Sequence, residues 1–274
     1  MSQHVDMVPA QCSNCDYALH KSHSFCPACG QKSCLHRLTL HDVFHDAIHY
    51  FVHVDKGFLQ LIRALALRTG TVAKEYVSGR RKKYFPPLNF FLIAAALYVF
   101  AQSIYSHHAV QYNWQKDVEK IPDPAARRNM TRLYERRDYI TGITAKYSNF
   151  IYMGATPFLT LIVWMFYFRG RYNYTEHLIA SLYITGFCAL LYAVVLAPLS
   201  LVPLIRAYRL QFLAYFIFEI SYRAVFYNRF MGKTNPAAIL KNWLVSLFVI
   251  IFWIAFSFYG IFRYIQDGFF GLFR

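Results

Sequence analysis

From Pro86 the chain reads "PPLNFFLIAAALYVFAQSIYS", about twenty residues without a single charge. At a rise of about 1.5 Å per residue, a helix of that length crosses the roughly 30 Å of hydrocarbon in a bilayer. Similar runs recur downstream, so spans are expected at about 88–106, 149–168, 178–200, 209–227 and 242–262. The predicted fold class is an α-helical integral membrane protein with about five transmembrane helices. Composition agrees, because 57% hydrophobic and 19% aromatic residues exceed ordinary globular usage. No internal repeat is visible, so an inverted-repeat transporter architecture gains no support.

The formal charge of +15 does not point to nucleic acid. The cations cluster beside the apolar runs, where anionic headgroups are the nearest partner. Arg80, Arg81, Lys82 and Lys83 directly precede the first span, which by the positive-inside rule keeps that end cytoplasmic. Alternation then places Arg169, Arg171, Arg229, Lys233 and Lys241 on the same side. Eight cations between Lys116 and Lys146 argue for the opposite orientation. They count for less, being diluted by five acidic residues and remote from the span ends. Within that polar loop, 107–148, Asp123 and Pro124 mark the start of a helix. The first residues, "MSQHVDMVPAQ", have neither a basic start nor a following apolar core, so no secretory signal is expected there. The expected location is the inner (cytoplasmic) membrane, multi-pass, with the N-terminus in the cytoplasm.

After a flexible lead over 1–11, residues 12–33 carry Cys12 and Cys15, a ten-residue excursion, then Cys26 and Cys29. Two short turns each presenting a thiolate pair can close a tetrahedron, and a reducing compartment favours metal ligation over disulfides. The expectation is one structural zinc ion per chain. With sulfur at all four positions, no site remains for an activated water. Rubredoxin-like iron and a redox dithiol are the rival readings.

Residues 38–74 are expected as an amphipathic interfacial helix, broken at Gly57, with Leu40, Phe44, Ile48, Phe51, Phe58, Ile62 and Leu65 at near-helical spacing. His41, His45, His49 and His53 recur every four residues along it. The stripe reads as the polar flank of that helix, where an imidazole is comfortable. A second metal site on His41, His45 and His49, or pH sensing, are the alternatives.

Inside the apolar region, ionisable groups are costly and draw notice. Glu219 and Arg223 stand four residues apart on one helix face, a self-neutralising spacing that can equally line an ion or substrate path. Glu176 and His177 open the third span, where a carboxylate suits a helix N-terminus. No nucleophile elbow, phosphate-cradling glycine loop or His-Glu-x-x-His helix is present.

Taken together, the four cysteines ending in "CGQK", the segment "EYVSGRRKKYFPP" (75–87) and "YTEHL" (174–178) resemble a bacterial family of membrane proteins catalogued as domain of unknown function 3667. The resemblance implies a front-end zinc ribbon, an amphipathic stretch and a transmembrane domain over 75–274, and it implies no activity. The leading reading is a non-enzymatic membrane protein with a cytoplasmic zinc-ribbon docking or regulatory head. It would contact the lipid bilayer and, through the ribbon, a cytoplasmic protein partner. A transporter or channel using Glu219 with Glu176 and His177, and a metal-dependent lipid-modifying enzyme using the histidines, are the alternatives.

Overall fold

A computed structural model describes residues 9–50, 57–106, 113–199 and 208–268. In chain order the helices are α1 (Leu40–Tyr50), α2 (Gly57–Arg68), α3 (Thr71–Val77), α4 (Pro87–Ser106), α5 (Gln115–Glu119), α6 (Pro124–Lys146), α7 (Ser148–Tyr167), α8 (Tyr174–Leu191), α9 (Ala197–Leu199), α10 (Tyr208–Met231) and α11 (Pro236–Asp267). Capping residues set where several of them begin. The Asp123 carboxylate accepts from the amides of Ala125 and Ala126, with Pro124 at the first helical position. Asn235 and Pro236 repeat that device on α11. On α8 the cap is reciprocal: Asn173 accepts from the Glu176 amide at 2.8 Å, and Glu176 accepts from the Asn173 amide at 2.7 Å.

The centre of the bundle is α8, buried on every side from Thr175 to Leu190. It packs most closely on α4 and α7, while α10 and α11 form an antiparallel hairpin beside it. Phe90, Phe91, Ile179, Tyr183, Phe226 and Phe230 fill the core, and the Tyr183 hydroxyl donates to the Phe85 carbonyl at 2.9 Å. Beyond α8 the backbone widens into a π turn over Tyr192–Leu196, closed by the Ala197 amide donating to the Tyr192 carbonyl. Pro198 lies just past it and has no N–H to give back to an α-helical turn.

Among the described residues, three helical stretches are long and apolar enough to cross a membrane: Pro87–Ile104, Tyr174–Leu199 and Pro236–Asp267. The two other expected spans are helices but fall short of that standard. The described apolar part of α7 is Met153–Tyr167, and α10 carries Glu219, Arg223 and Arg229. The outer face of α11 leaves Leu244, Phe248, Ile251, Phe258 and Phe262 exposed, as a helix in contact with lipid acyl chains would.

The stretch over 38–74, expected as an amphipathic helix broken at Gly57, holds α1, α2, which begins at Gly57, and α3. Between α2 and α3 the chain turns at Thr69, which adopts a left-handed φ of 39°, and at Gly70 beside it. These short helices pack on the bundle: Tyr222 of α10 donates to the Leu65 carbonyl at 3.1 Å, and Arg229 to that of Leu67 at 3.1 Å.

Helices α5 and α6 lie at the other end of the bundle from α3. There α6 grips the last turn of α11, with Arg136 donating to the carbonyl of Gln266 at 2.9 Å and Tyr139 stacked on Tyr264.

Candidate metal centre and buried polar chamber

The 12–33 segment is two tight turns of matching geometry. In the first, the Cys12 amide donates to the Tyr17 carbonyl, the Asp16 amide to that of Cys12, and Gln11 bridges Ala18. In the second, the Cys26 amide donates to Gln31, the Gly30 amide to Cys26, and Phe25 bridges Lys32. Asp16 (φ 59°) and Gly30 (φ 67°) occupy equivalent left-handed positions.

Face to face, the turns place the Cys12 sulfur 3.6 Å from that of Cys29, and the Cys15 sulfur 3.5 Å from that of Cys26. All four sulfurs lie within 4.8 Å of one another. Disulfide sulfurs would sit about 2.05 Å apart. A tetrahedron with metal–sulfur bonds of about 2.3 Å has edges of about 3.8 Å, so the set can hold a metal ion. Burial raises the Cys26 thiol, but the backbone amides of Cys29 and Ala28 outweigh it and bring its pKa to about 7.

This module is not a free head, because its polar side chains hold the turn that leads into α4. Ser13 donates to the Gly79 carbonyl at 3.3 Å, and Gln31 donates to the Ser13 hydroxyl at 2.8 Å. The Arg81 amide donates to Gln31 at 3.1 Å, and the Lys83 amide to Asn14 at 3.0 Å. The basic run 80–83 is thus gripped through its backbone. A second tie follows the module. Arg37 makes a two-pronged ion pair with Glu176, at 3.0 and 2.8 Å, and donates to the Arg171 carbonyl at 2.9 Å. Glu176, 5% exposed, therefore serves as the α8 cap and as the anchor for this linker.

Glu75 is the hub of the same region. Its carboxylate accepts from Arg68, from Lys83 at 2.7 Å and from Tyr84 at 2.7 Å. Burial pushes its pKa up, but donation from Lys83, Tyr84 and Arg68 more than offsets this and holds it at about 2. The unfolded chain, titrating near 4.5, then binds more protons than the folded one between those values. Stability from this group is complete above about pH 4.5 and is lost as pH falls toward 2. Its partially exposed partners limit the effect to on the order of 2 kcal/mol. Thermal unfolding at about pH 6 and about pH 3 should therefore show a loss that Glu75→Gln reduces; an identical loss in the variant would remove Glu75 from the acid response.

Glu219 and Arg223 pair along α10 at 3.2 Å, and Arg223 is 4% exposed. They line a cavity of about 170 Å³ together with Tyr98 of α4, Thr156 of α7, and Ser181 and Thr185 of α8, closed by Trp253 of α11. His177 is fully buried one turn nearer the helix start, in a cluster with the rings of Tyr167 and Tyr227, whose centroids are 5.6 and 5.9 Å away and 5.9 Å from each other. It is not among the residues lining that cavity, and neither is Glu176. His41 and His45 stack at 5.9 Å, whereas the His49 side chain and His53 lie outside the described residues. Among the described residues, the four cysteines are the group of three or more side chains placed to hold an ion.

Sequence reasoning assigned no role to Ser13, Asn14, Gln31, Arg37 or Glu75. For Gln31 and Glu75 a signal existed, since both fall in the motifs that carried the resemblance. Residues 55–99 match a family described as protein of unknown function (DUF3667). The similarity runs through α2, α3 and most of α4, including the Glu75 hub and the turn that the cysteine module holds. No curated protein and no solved structure matches the chain.

Proposed function

We propose that this is a non-enzymatic, multi-pass membrane protein in which a structural zinc ion, bound by Cys12, Cys15, Cys26 and Cys29, fixes the cytoplasmic face of a five-helix bundle. That face then serves as a docking or regulatory surface for a cytoplasmic protein. The observation that carries the reading is the grip of Ser13, Asn14 and Gln31 on the turn into α4. A four-thiolate site offers no open coordination position for catalysis, and a segment of about twenty residues lacks the core to hold that grip without a metal. Tyr17 and Phe25 stand 45% and 60% exposed on the module, where they supply the apolar anchors a partner would use.

The test combines sidedness and contact. A thiol introduced near Ser2 should resist an impermeant reagent in intact cells, while one near Asn113 should be labelled. Crosslinking in membranes should then give partners that are lost in a Tyr17→Asp, Phe25→Asp variant with unchanged zinc content. Inverted labelling, or an identical partner profile, would defeat the proposal. The cavity beside Glu219 favours a second reading, passage or capture of a small solute within the bundle.

A further inference from the structure

We propose that the chamber beside Glu219 and Arg223 binds a small zwitterionic solute, with the size of a short α-amino acid, its carboxylate at Arg223 and its ammonium at Glu219. The claim deepens the second reading above as far as binding, and it stands whether or not the cysteine module docks a partner.

Position is the first argument. Tyr98, Thr156, Ser181, Thr185, Glu219 and Arg223 each lie roughly seven to twelve residues from the module-side end of their helix, at Pro87, Tyr167, Tyr174 or Met231. At 1.5 Å per residue these depths are about 10–18 Å, near the middle of a bilayer core of about 30 Å. Four helices therefore bring polar side chains to one level, far from both ends.

Incomplete pairing is the second. A guanidinium carries several N–H donors in a planar fork. Here Nη2 of Arg223 reaches Glu219, while Nε has no partner among the described residues. A buried ion pair serving stability alone would need its remaining donors satisfied, since desolvation of each charge costs several kcal/mol.

Charge and size then choose the ligand class. The pair is neutral overall, so a ligand with net charge would leave one buried charge uncompensated. A zwitterion gives the guanidinium an acceptor and the carboxylate a donor at once, and the hydroxyls of Ser181 and Thr185 suit its polar outline. A cavity of about 150 Å³ accommodates benzene, or about six non-hydrogen atoms; the 170 Å³ here matches glycine, alanine or serine.

The test uses the purified full-length protein in lipid nanodiscs, titrated with glycine, alanine and serine against glycerol, propionate and ethylammonium. At least one amino acid should raise the melting temperature and bind about tenfold or more tighter than the neutral and singly charged probes. Glu219→Gln should turn the preference toward propionate, and Arg223→Gln toward ethylammonium. Thr185→Leu, which fills the chamber and leaves the ion pair intact, should abolish amino-acid binding while the ligand-free melting temperature and metal content stay close to the parent's. Equal binding of glycerol and the amino acids, or no binding of any probe to a parent that melts cooperatively, would overturn the proposal and leave the pair a structural one beside a hydrated void. Metal content is read separately, so failure here is distinct from failure of the zinc reading.

Discussion

On the proposed zinc assignment, replacing Cys26 and Cys29 with serine is expected to take bound metal from one ion per chain to none and to unfold residues 12–33. The two short turns meet through their sulfurs, 3.5 and 3.6 Å apart, and one side-chain hydrogen bond from Gln31 to Ser13, with single bridges in place of strands. Structural zinc sites of this type contribute about 10–16 kcal/mol of apparent binding energy that is also folding energy, far more than two isolated turns recover from hydrogen bonds at about 1 kcal/mol each. Loss of the metal should propagate further. Gln31 and Asn14 hold the amides of Arg81 and Lys83, so protease sensitivity should appear at 79–83 as well as in the module. The helices beyond α4 have their own core around α8 and should still melt as a unit. Elemental analysis of the purified variant and limited proteolysis check both halves. Undiminished metal, or a protected module in its absence, would contradict the assignment. Acid should mimic the variant, since the thiols must be deprotonated to ligate.

How much of this was legible in advance depends on sequence separation. The Cys12–Cys29 spacing, the Asp123–Pro124 helix start and the Glu219–Arg223 pair are local patterns whose geometry follows from a turn or one helical repeat. Each could be read without a partner segment. Arg37 and Glu176 are the opposite case, 139 positions apart; no local rule links a cation in a linker to a helix cap in a later span. The grip of Gln31 on Arg81, at a separation of 50, is hidden for the same reason. Apolar periodicity over 38–74 carries only the local part of the packing. It marked Leu65, which is buried, alongside Leu40 and Phe44, which are exposed, and a turn at Thr69 that follows α10 depends on a segment far along the chain. Beyond the Glu219–Arg223 pair the chamber could not be seen, since it exists only where four helices bring polar side chains to one depth.

That turn at Thr69 bears the second large expected effect. A Cβ placed on Gly70 would overlap the main-chain carbonyl of Phe226 and crowd the amide of Phe230. Both belong to α10 backbone, which cannot yield as a side-chain tip can. Gly70→Val is therefore expected to force α3 away from α10 at a cost at or above the upper end of the roughly 1–3 kcal/mol usual for overpacking. Separation would strain the bonds from Tyr222 to Leu65 and from Arg229 to Leu67. It would also move Glu75 relative to Lys83 and Tyr84, because the hub rides on α3. The measurable outcome is a lower melting temperature with new cleavage near Arg68, accompanied by a weaker acid response because the Glu75 partners no longer converge. Bound metal should remain, since the four sulfurs belong to a module that closes on itself. A variant that melts with the parent would mean that α3 and α10 do not approach this closely, and the short helices would then have to be placed independently of the bundle.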